Sequence, residues 1–333
     1  MQQIDRRVFV GMAMAAGAAA AMPAFGSGRR RLHDHTYFEH QSLRDGAEMH
    51  AIFGEGGNSL LITSRGQSML IDCKLGPFGT VLRADIETLG AAERLTVINT
   101  HHHGGSTGGN IAFNENATIY CHENAIPRFE ANMGWYRSMG EQALRQLRRM
   151  PGDKRELAEE AIMAYAQSFN GLTHQDFTPP AVITEPRFDL NVGDHPVIIR
   201  NFGPGHTDND LVIFFPDQNV LHTGDLVFNK LNPIMDADGG CDARRWMLVL
   251  RNVVQLCDDE TIVVPGHGEV GDRTLITDQI YYIQALFDAV ADAINDGMTR
   301  EQIVDTTFSF QEGFGFDQGR AIANGFVYDS LQD

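Results

Sequence analysis

The chain has 333 residues, of which 43% are hydrophobic and 21% are charged, so it can bury a full core and is not a disordered protein. Its formal net charge of −18 opposes binding to phosphate backbones, so we expect no nucleic-acid partner. The length fits one large α/β domain once an N-terminal leader is removed. The sequence indicates neither a CxxC pair nor a disulfide pairing among its four cysteines, Cys73, Cys121, Cys241 and Cys257.

The N-terminus has the pattern of an export signal. The pair Arg6-Arg7 is followed by a stretch rich in Ala, Met and Gly, so residues 1–24 are predicted to be a twin-arginine signal and the protein to be periplasmic. This stretch is too short and too weakly apolar to span a bilayer, which takes about 20 apolar residues. Residues 25–45 are polar and predict a flexible lead-in, in which we expect three solvated histidines, His33, His35 and His40.

Residues 46–333 show the patterns of a folded domain. Short apolar runs broken by Gly-rich turns predict strands, and longer runs of helical periodicity predict helices. The predicted strands are Met49–Phe53, Ser59–Thr63, Ser68–Asp72, Leu95–Asn99, Val182–Thr184, Val197–Phe202, Leu211–Phe215, Val220–His222 and Thr261–Val264. The predicted helices are Val81–Leu89, Arg244–Leu256, Arg273–Asp296 and one that begins after Thr299, together with a helical insertion at about residues 123–170. Strands and helices alternate in two similar halves, which predicts a helix–sheet–sheet–helix sandwich.

Four of the predicted strands are followed by loops in which a polar side chain lies beside glycine. Strand ends hold side chains rigidly, and glycine lets the backbone approach a metal closely. The loops are Thr100–Gly104 (THHHG), Gly203–Thr207 (GPGHT), Thr223–Asp225 (TGD) and Pro265–Gly268 (PGHG). The candidate metal ligands in these loops are His101, His103, His206, Asp225 and His267.

Three of these side chains, His101, His103 and His206, suit a catalytic zinc site. Zinc held by three histidines keeps one open position, and it lowers the pKa of a water there to about 7. Asp225 and His267 offer a further carboxylate and imidazole. His102 alternates away from its neighbours, so we expect it to be exposed or to lie outside the set of ligands.

Three segments then show a resemblance to a known family. Thr100–Asn110 (THHHGGSTGGN) resembles the signature THxHxDHxGGN of the metallo-β-lactamase superfamily. Gly205–Asp225 resembles the family's third-histidine and bridging-aspartate segments, and Val264–Arg273 resembles its last-histidine segment. The order and spacing of these motifs agree from about residue 54 to residue 296. The resemblance implies the αββα sandwich, a metal site at its edge, and hydrolysis of an ester, lactone, amide or thioester.

The sequence departs from this signature at two positions. The signature Asp falls at Gly105 and the following His at Ser106. In the family these two residues bind a second metal, together with the equivalents of Asp225 and His267. The resemblance therefore implies a complete first site and a second site that keeps two ligands of four. The main prediction is a mononuclear hydrolase of small molecules, β-lactams among them, that holds one Zn²⁺ and uses a metal-bound hydroxide. Asp225 is the predicted catalytic carboxylate, which orients the water or accepts its proton.

Three alternatives stay open. In the first, other side chains replace the missing ligands and a dinuclear site is kept. The nearest candidates are His102, Asp208 and Asp210, because Ser106 is a poor zinc ligand. The two aspartates also fit a structural role, capping the next strand or turn. The fold could instead have lost hydrolysis and now bind a ligand or a partner. Mononuclear iron is the third alternative, because a redox branch of the superfamily uses His and Asp ligands.

The insertion contains an aromatic and Met-rich stretch that bears on the substrate. Its members either line an apolar substrate pocket or pack the insertion against the sheet; they are Phe129, Met133, Trp135, Tyr136 and Met139. Lys230 is the best candidate for a clamp on a substrate carboxylate. The sequence indicates neither the substrate nor the oligomeric state.

Overall fold

The computed structural model describes residues 36–44 and 48–332. The predicted export signal and most of the predicted lead-in lie outside these residues. The chain divides into two compact units, one of residues up to 184 together with 191–195, the other of residues 185–190 together with 196–333. Within the described residues, no helix is both long enough and apolar enough to cross a membrane.

The first unit is built on a seven-stranded sheet. Its strands follow chain order across the sheet: β1 (Glu39–Ser42), β2 (Glu48–Phe53), β3 (Ser59–Ser64), β4 (Gln67–Ile71), β5 (Leu95–Ile98), β6 (Ala117–His122) and β7 (Ala181–Ile183). Strands β1 to β4 pair antiparallel, and β4 to β7 pair parallel. Because the carboxyl ends of parallel strands meet at one edge of a sheet, the loops after β4, β5 and β6 lie side by side.

Five helices accompany this sheet within the described residues of the first unit. They are α1 (Gly79–Thr88), α2 (Gly104–Thr107), α3 (Ile126–Ala131), α4 (Met133–Leu147) and α5 (Gly152–Ser168). The segment predicted as a helical insertion, residues 123–170, holds α3, α4 and α5. Helices α4 and α5 bury apolar side chains in the same core cluster as the sheet.

The second unit is built on a five-stranded sheet in the order β12-β11-β10-β9-β8. The strands are β8 (Arg187–Val192), β9 (His195–Arg200), β10 (Val212–Phe215), β11 (Val220–His222) and β12 (Ile262–Val264), with the β8–β9 hairpin tip counted in the first unit. The helices of this unit are α6 (Ala243–Val253), α7 (Thr274–Asn295), α8 (Arg300–Asp305) and α9 (Asp317–Gln332). Their apolar faces share one core cluster with the inner residues of the strands.

Helix α7 ends next to Gly297, and α8 begins after Thr299, as the sequence predicts. Gly297 has φ of 80°, a conformation that favours glycine, and its N–H and that of Met298 donate to the last carbonyls of α7. Thr299 caps α8, because its hydroxyl accepts from the backbone N–H of Gln302 and the Gln302 side chain accepts from the Thr299 N–H.

The lead-in differs from the prediction over its described residues. Residues 39–42 form β1 on the edge of the first sheet, and Tyr37 and Phe38 are buried in the core. His40 lies in β1 and is buried, so the expectation that it is solvated was wrong. The physical reason is that β2 supplies a hydrogen-bonding partner for this short polar segment. All four cysteines are free thiols, two of them, Cys73 and Cys121, fully buried.

Candidate metal centre

The histidine loop of the first unit begins where β5 ends and is tied to the end of β4. The backbone N–H and the hydroxyl of Thr100 donate to the two carboxylate oxygens of Asp72, each at 2.8 Å. Asp72 is buried and takes a positive φ of 61°, which turns its side chain toward the neighbouring strand end. This pair fixes the backbone immediately before His101.

The same hydroxyl determines how His101 presents its ring. Thr100 Oγ1 lies 2.9 Å from His101 Nδ1. Because the hydroxyl proton goes to the Asp72 carboxylate, Oγ1 acts as acceptor toward the ring, so Nδ1 carries the ring proton. The neutral ring therefore presents the lone pair of Nε2, which is the form that a metal requires.

The three histidine rings of this loop lie together. The ring centroid of His103 is 4.8 Å from that of His101 and 4.5 Å from that of His102. His101 and His102 are buried, whereas His103 is half-buried. Of the two expectations for His102, exposure was therefore wrong, because this residue is buried where the start of α4 contacts the loop through Asn132.

Gly105 leaves space where the family signature has an aspartate. Gly105 lies in α2, and a Cβ placed on it would come no nearer than 3.4 Å to another atom, the backbone nitrogen of Gly57. That distance is an ordinary van der Waals contact. Ser106 is buried, and its carbonyl accepts from the backbone N–H of Cys73 at 2.7 Å. The structure therefore has room for a Cβ at residue 105.

Helix α4 packs directly on the histidine loop. A Cβ on Gly104 would lie 1.5 Å from the Trp135 ring, so the indole occupies the place of a side chain at that position. The Tyr136 hydroxyl is 2.9 Å from the Thr107 hydroxyl, and the Asn132 amide donates to the His102 carbonyl at 3.3 Å. These contacts make α4 the support of the loop that carries His101 to His103.

The aromatic stretch of the insertion is mainly a packing element. Phe129, Tyr136 and Met139 are fully buried in the core of the first unit. The Tyr136 ring stacks on Phe177 with centroids 4.2 Å apart. Met133 and Trp135 are half-buried at the edge of the same cluster. The packing alternative therefore holds for Phe129, Tyr136 and Met139.

Replacing Gly104 by alanine is expected to destabilise the protein by about 1–3 kcal/mol, because the added methyl group overlaps the Trp135 ring and forces it to move. The measurement is chemical denaturation followed by tryptophan fluorescence. Gly134→Ala is the matched control: its Cβ meets nothing within 4 Å, and alanine favours helix α4. An equal loss in both variants would contradict the packing described here.

A buried pair of amides closes the histidine loop. Asn99 and Asn110 donate to each other's side-chain oxygens, at 3.1 and 2.8 Å, and Asn110 also donates to the Phe177 carbonyl at 2.9 Å. Both asparagines are completely buried. This pair therefore joins the residue just before the signature segment, Asn99, to the last residue of that segment, Asn110.

Lys74 is a buried amine next to this loop, and the sequence motifs do not predict its role. Its ammonium donates to the carbonyls of Ile52 and Gly57, both at 2.7 Å, and the residue is completely buried. Burial lowers the pKa of Lys74 to about 7, and the carboxylates of Asp72 and Glu55 oppose this shift. A neutral amine has two N–H groups, which match the two carbonyls. The only signal in the sequence is a lysine between two apolar residues at the end of a strand.

In the second unit, His206 is held in one tautomer. His206 is fully buried, and its Nδ1 lies 2.9 Å from the Ile234 carbonyl. A carbonyl oxygen only accepts hydrogen bonds, so Nδ1 carries the proton and Nε2 presents its lone pair. The turn after His206 is fixed by Asp210, which accepts from the N–H and the hydroxyl of Thr207 at 2.9 and 2.6 Å. Asp210 thus has the capping role that the sequence allowed for it.

Asp225 lies between two imidazoles of the second unit. Its Oδ2 is 3.6 Å from His206 Nε2 and 3.5 Å from His267 Nε2. Two ligand atoms on one tetrahedral zinc ion, with bonds of about 2.0–2.2 Å, lie about 3.3–3.6 Å apart. A Cβ on Gly266 would be 2.1 Å from Asp225 Oδ1, so glycine there makes room for the carboxylate. The donor set and its spacing fit a metal ion.

Three further predicted residues lie in the second unit, and they differ in exposure and in their contacts. The His267 ring stacks on Phe228, with centroids 5.2 Å apart, and remains partly exposed. Asp208 is half-buried and accepts from the Asn209 amide at 2.8 Å. Lys230 is exposed, and its carbonyl accepts from the Gly315 N–H at 3.0 Å.

Comparison with known proteins supports the resemblance seen in the motifs. Among curated proteins, metallo-beta-lactamase type 2 of Bacillus cereus is 27% identical over 127 residues, which are 38% of this chain and 50% of that protein. Metallo-beta-lactamase IND-1 of Chryseobacterium indologenes is 26% identical over 78 residues, 23% of this chain and 33% of that protein. The chain therefore matches half or less of the length of these relatives.

Solved structures match over a larger part of the chain. A metallo-beta-lactamase from Pontibacter korlensis has a TM-score of 0.53 at 18% identity, covering 74% of this chain and 99% of that one. DIM-1 metallo-beta-lactamase has a TM-score of 0.53 at 15% identity, covering 74% and 97%. These likenesses confirm the predicted αββα fold. The family model described as metallo-beta-lactamase superfamily matches residues 52–267, more than half of the chain. The chain belongs to the metallo-beta-lactamase superfamily.

Proposed function

We propose that this protein is a zinc-dependent hydrolase of a small molecule that contains an ester, lactone or amide bond. The observation that carries the proposal is the position of Asp225 Oδ2, 3.6 and 3.5 Å from the Nε2 atoms of two imidazoles. Family membership supports hydrolysis, and relatives named metallo-beta-lactamases make β-lactams the first amides to examine. The net charge of −18 argues against nucleic acid as the substrate.

The residues that would hold the zinc ion are His101, His103 and His206, as the resemblance implies. Two of them support this assignment directly, because His101 and His206 each have the ring proton on Nδ1 and the lone pair on Nε2. The chemistry also fits, since neutral imidazole is a preferred ligand of zinc. Asp225 and His267 contribute a further carboxylate and imidazole.

Each residue has a separate part in the proposed reaction. Zinc, when bound, supplies a Lewis acid that makes water nucleophilic near neutral pH. Asp225 accepts the proton of the attacking water, because its carboxylate lies beside the imidazole of the ligand His206. Thr100 and the Ile234 carbonyl keep two imidazoles in the required tautomer. The buried loop contacts of α4 hold the ligands rigid.

We further propose one zinc ion per chain. Gly105 has no side chain, and Ser106 is a poor zinc ligand, so the second site of the family keeps only Asp225 and His267. The twin-arginine pattern at residues 6–7 supports export in the folded state to the periplasm. Folded export suits a protein whose metal is bound before it leaves the cytoplasm.

Turnover by zinc-loaded protein tests the proposal. The mature chain is purified, its zinc content is measured, and hydrolysis is followed with a panel of β-lactams, lactones and esters. We expect about one zinc per chain and hydrolysis of at least one class, which stops when a chelator removes the metal. Zinc-loaded protein that turns over no member of the panel would overturn the hydrolase proposal.

Restoring the two missing side chains is expected to raise the zinc content from one to two per chain. The variant is Gly105→Asp with Ser106→His, and the space around residue 105 admits the new Cβ. The measurement is elemental analysis of the purified variant. Gly105→Ala is the control, because it adds the Cβ without a ligand and should keep one zinc. An unchanged content in the double variant would show that more than these two side chains separates this site from a dinuclear one.

A further inference from the structure

The carbonyl that holds His206 lies in an irregular loop. Residues 227–236 run between β11 and α6 and contain the Ile234 carbonyl that accepts from His206 Nδ1. Isolated β-bridges join this loop to the chain elsewhere, at Phe228 with His267 and at Leu231 with Gly315. The position of the Ile234 carbonyl therefore depends on what fixes the loop.

Asn232, two residues before Ile234, anchors the loop to the C-terminal part of the chain. Its backbone N–H and its side-chain amide both donate to the Gly315 carbonyl, at 3.0 and 2.8 Å. The Gly315 N–H donates in return to the Lys230 carbonyl at 3.0 Å. A Cβ on Gly319 would lie 2.4 Å from the Asn232 carbonyl, so the first turn of α9 touches the loop through its backbone.

A continuous buried network extends from Asn232. The Tyr282 hydroxyl donates to Asn232 Oδ1 at 2.6 Å and accepts from Gln311 Nε2 at 3.1 Å. Gln311 Nε2 also donates to Asn324 Oδ1 at 3.0 Å. Asn324 Nδ2 completes the network by donating to the carbonyls of Ile303 and Thr306, both at 2.9 Å, at the end of α8.

Every link of this network has a defined donor and acceptor. The backbone carbonyls at its two ends only accept, which fixes the direction of each hydrogen bond between them. Asn232, Tyr282, Gln311 and Asn324 are all buried. A buried amide left without a partner costs about 1–3 kcal/mol, so breaking one link disturbs its neighbours. Hydrogen bonds thus connect the loop without interruption to the end of α8.

This network lies largely beyond the part of the chain that matches the family. Tyr282, Gln311 and Asn324 come after residue 267, where the family match ends. Only Asn232 lies within the matched residues. The C-terminal helices therefore add a contact to the His206 side of the second unit that does not follow from family membership.

We propose that the C-terminal segment positions His206, with Asn232, Tyr282, Gln311 and Asn324 as positioning residues. By fixing the loop, they hold the Ile234 carbonyl against Nδ1, which keeps the proton there and Nε2 ready for a metal. Partners of this kind, one step away from a ligand, alter metal affinity by about 10–100-fold. The expected change in zinc affinity rests on the function proposed above, whereas the effect on the Nδ1 hydrogen bond of His206 does not.

Tyr282→Phe is the variant that tests this proposal. It removes one hydroxyl and keeps the ring that packs on Phe310 and Phe314. Zinc affinity, measured by competition with a chromophoric chelator, is expected to fall about 10-fold. Val327→Ala is the control, because it destabilises the buried face of α9 without removing a hydrogen bond of the network, and it should leave the affinity unchanged. Wild-type affinity in Tyr282→Phe, or an equal fall in Val327→Ala, would overturn the proposal.

A second measurement on the metal-free protein separates this proposal from the proposed function. Long-range ¹H–¹⁵N spectra report the tautomer of His206 and the exchange rate of its Nδ1 proton. We expect a slowly exchanging Nδ1 proton in the wild type and at least about 10-fold faster exchange in Tyr282→Phe. Equal exchange in both proteins would refute the positioning role. Failure of the wild type to bind zinc would count against the proposed function and leave this result standing.

Discussion

Replacing His206 by alanine is expected to lower zinc affinity by at least about 100-fold and to abolish hydrolysis within detection. The reason is that the variant removes a proposed ligand itself, and the loss of a partner one step further away already costs about 10–100-fold. The measurements are zinc content after dialysis against a weak chelator and initial rates on the substrate found with the panel.

The same variant has a second expected effect, on stability. His206 is fully buried, so alanine leaves the Ile234 carbonyl without its donor, at a cost of about 1–3 kcal/mol. His174→Ala is the matched control, because this half-buried histidine lies in a turn of the first unit and has no part in the proposed site. Full zinc content in His206→Ala would remove this residue from the site.

The stability of the protein is expected to rise between about pH 7 and pH 10.5 through Lys74. Burial lowers the pKa of Lys74 from 10.5 in the unfolded chain to about 7 in the folded one. Within this window the unfolded chain binds a proton that the folded chain does not, so the free energy of unfolding increases with pH. The slope from one proton is at most about 1.4 kcal/mol per pH unit. Below pH 7, Lys74 is protonated in both the folded and the unfolded chain, so its contribution to the free energy of unfolding no longer changes with pH.

Lys74→Met isolates that contribution, because methionine has a similar length and does not titrate. The wild type and the variant are unfolded with denaturant at intervals from pH 7 to pH 10, and the difference between their slopes is the measured quantity. Lys74→Gln serves if Lys74→Met folds poorly, because glutamine also does not titrate and its amide nitrogen carries two N–H groups for the two carbonyls. Parallel stability curves for wild type and variant would show that Lys74 keeps its proton in the folded state.

Local patterns predict most of the regular elements of this fold. Ser59–Thr63 and Arg273–Asp296 are predicted within one or two residues of β3 and α7, because alternation and helical periodicity are strong there. β1 was missed because a short polar strand on a sheet edge is stabilised by pairing with β2. α9 was missed because Gly319 and Gly325 weaken its helical pattern, and its helical form depends on packing and on contacts far away in sequence.

The loops after the strands predict the residues of the candidate site, but they do not predict the residues that hold those side chains in place. His206 and Asp225 stand out because each follows a strand beside glycine. Their partners do not stand out: the Ile234 carbonyl is backbone, and Tyr282 resembles an ordinary core residue of a helix. The sequence places Trp135 in the helical insertion but does not predict its contact with Gly104, which lies 31 positions earlier in the chain. Such contacts come from tertiary packing, which spacing along the chain does not encode.

The proposed zinc site can be tested by anomalous diffraction at the zinc absorption edge, on crystals of protein loaded with zinc. This experiment locates each zinc ion and identifies its ligands. We expect one peak per chain, bound by the imidazoles of His101, His103 and His206, with Asp225 beside it. No peak in zinc-loaded crystals, or a peak bound by other residues, would refute the proposed site.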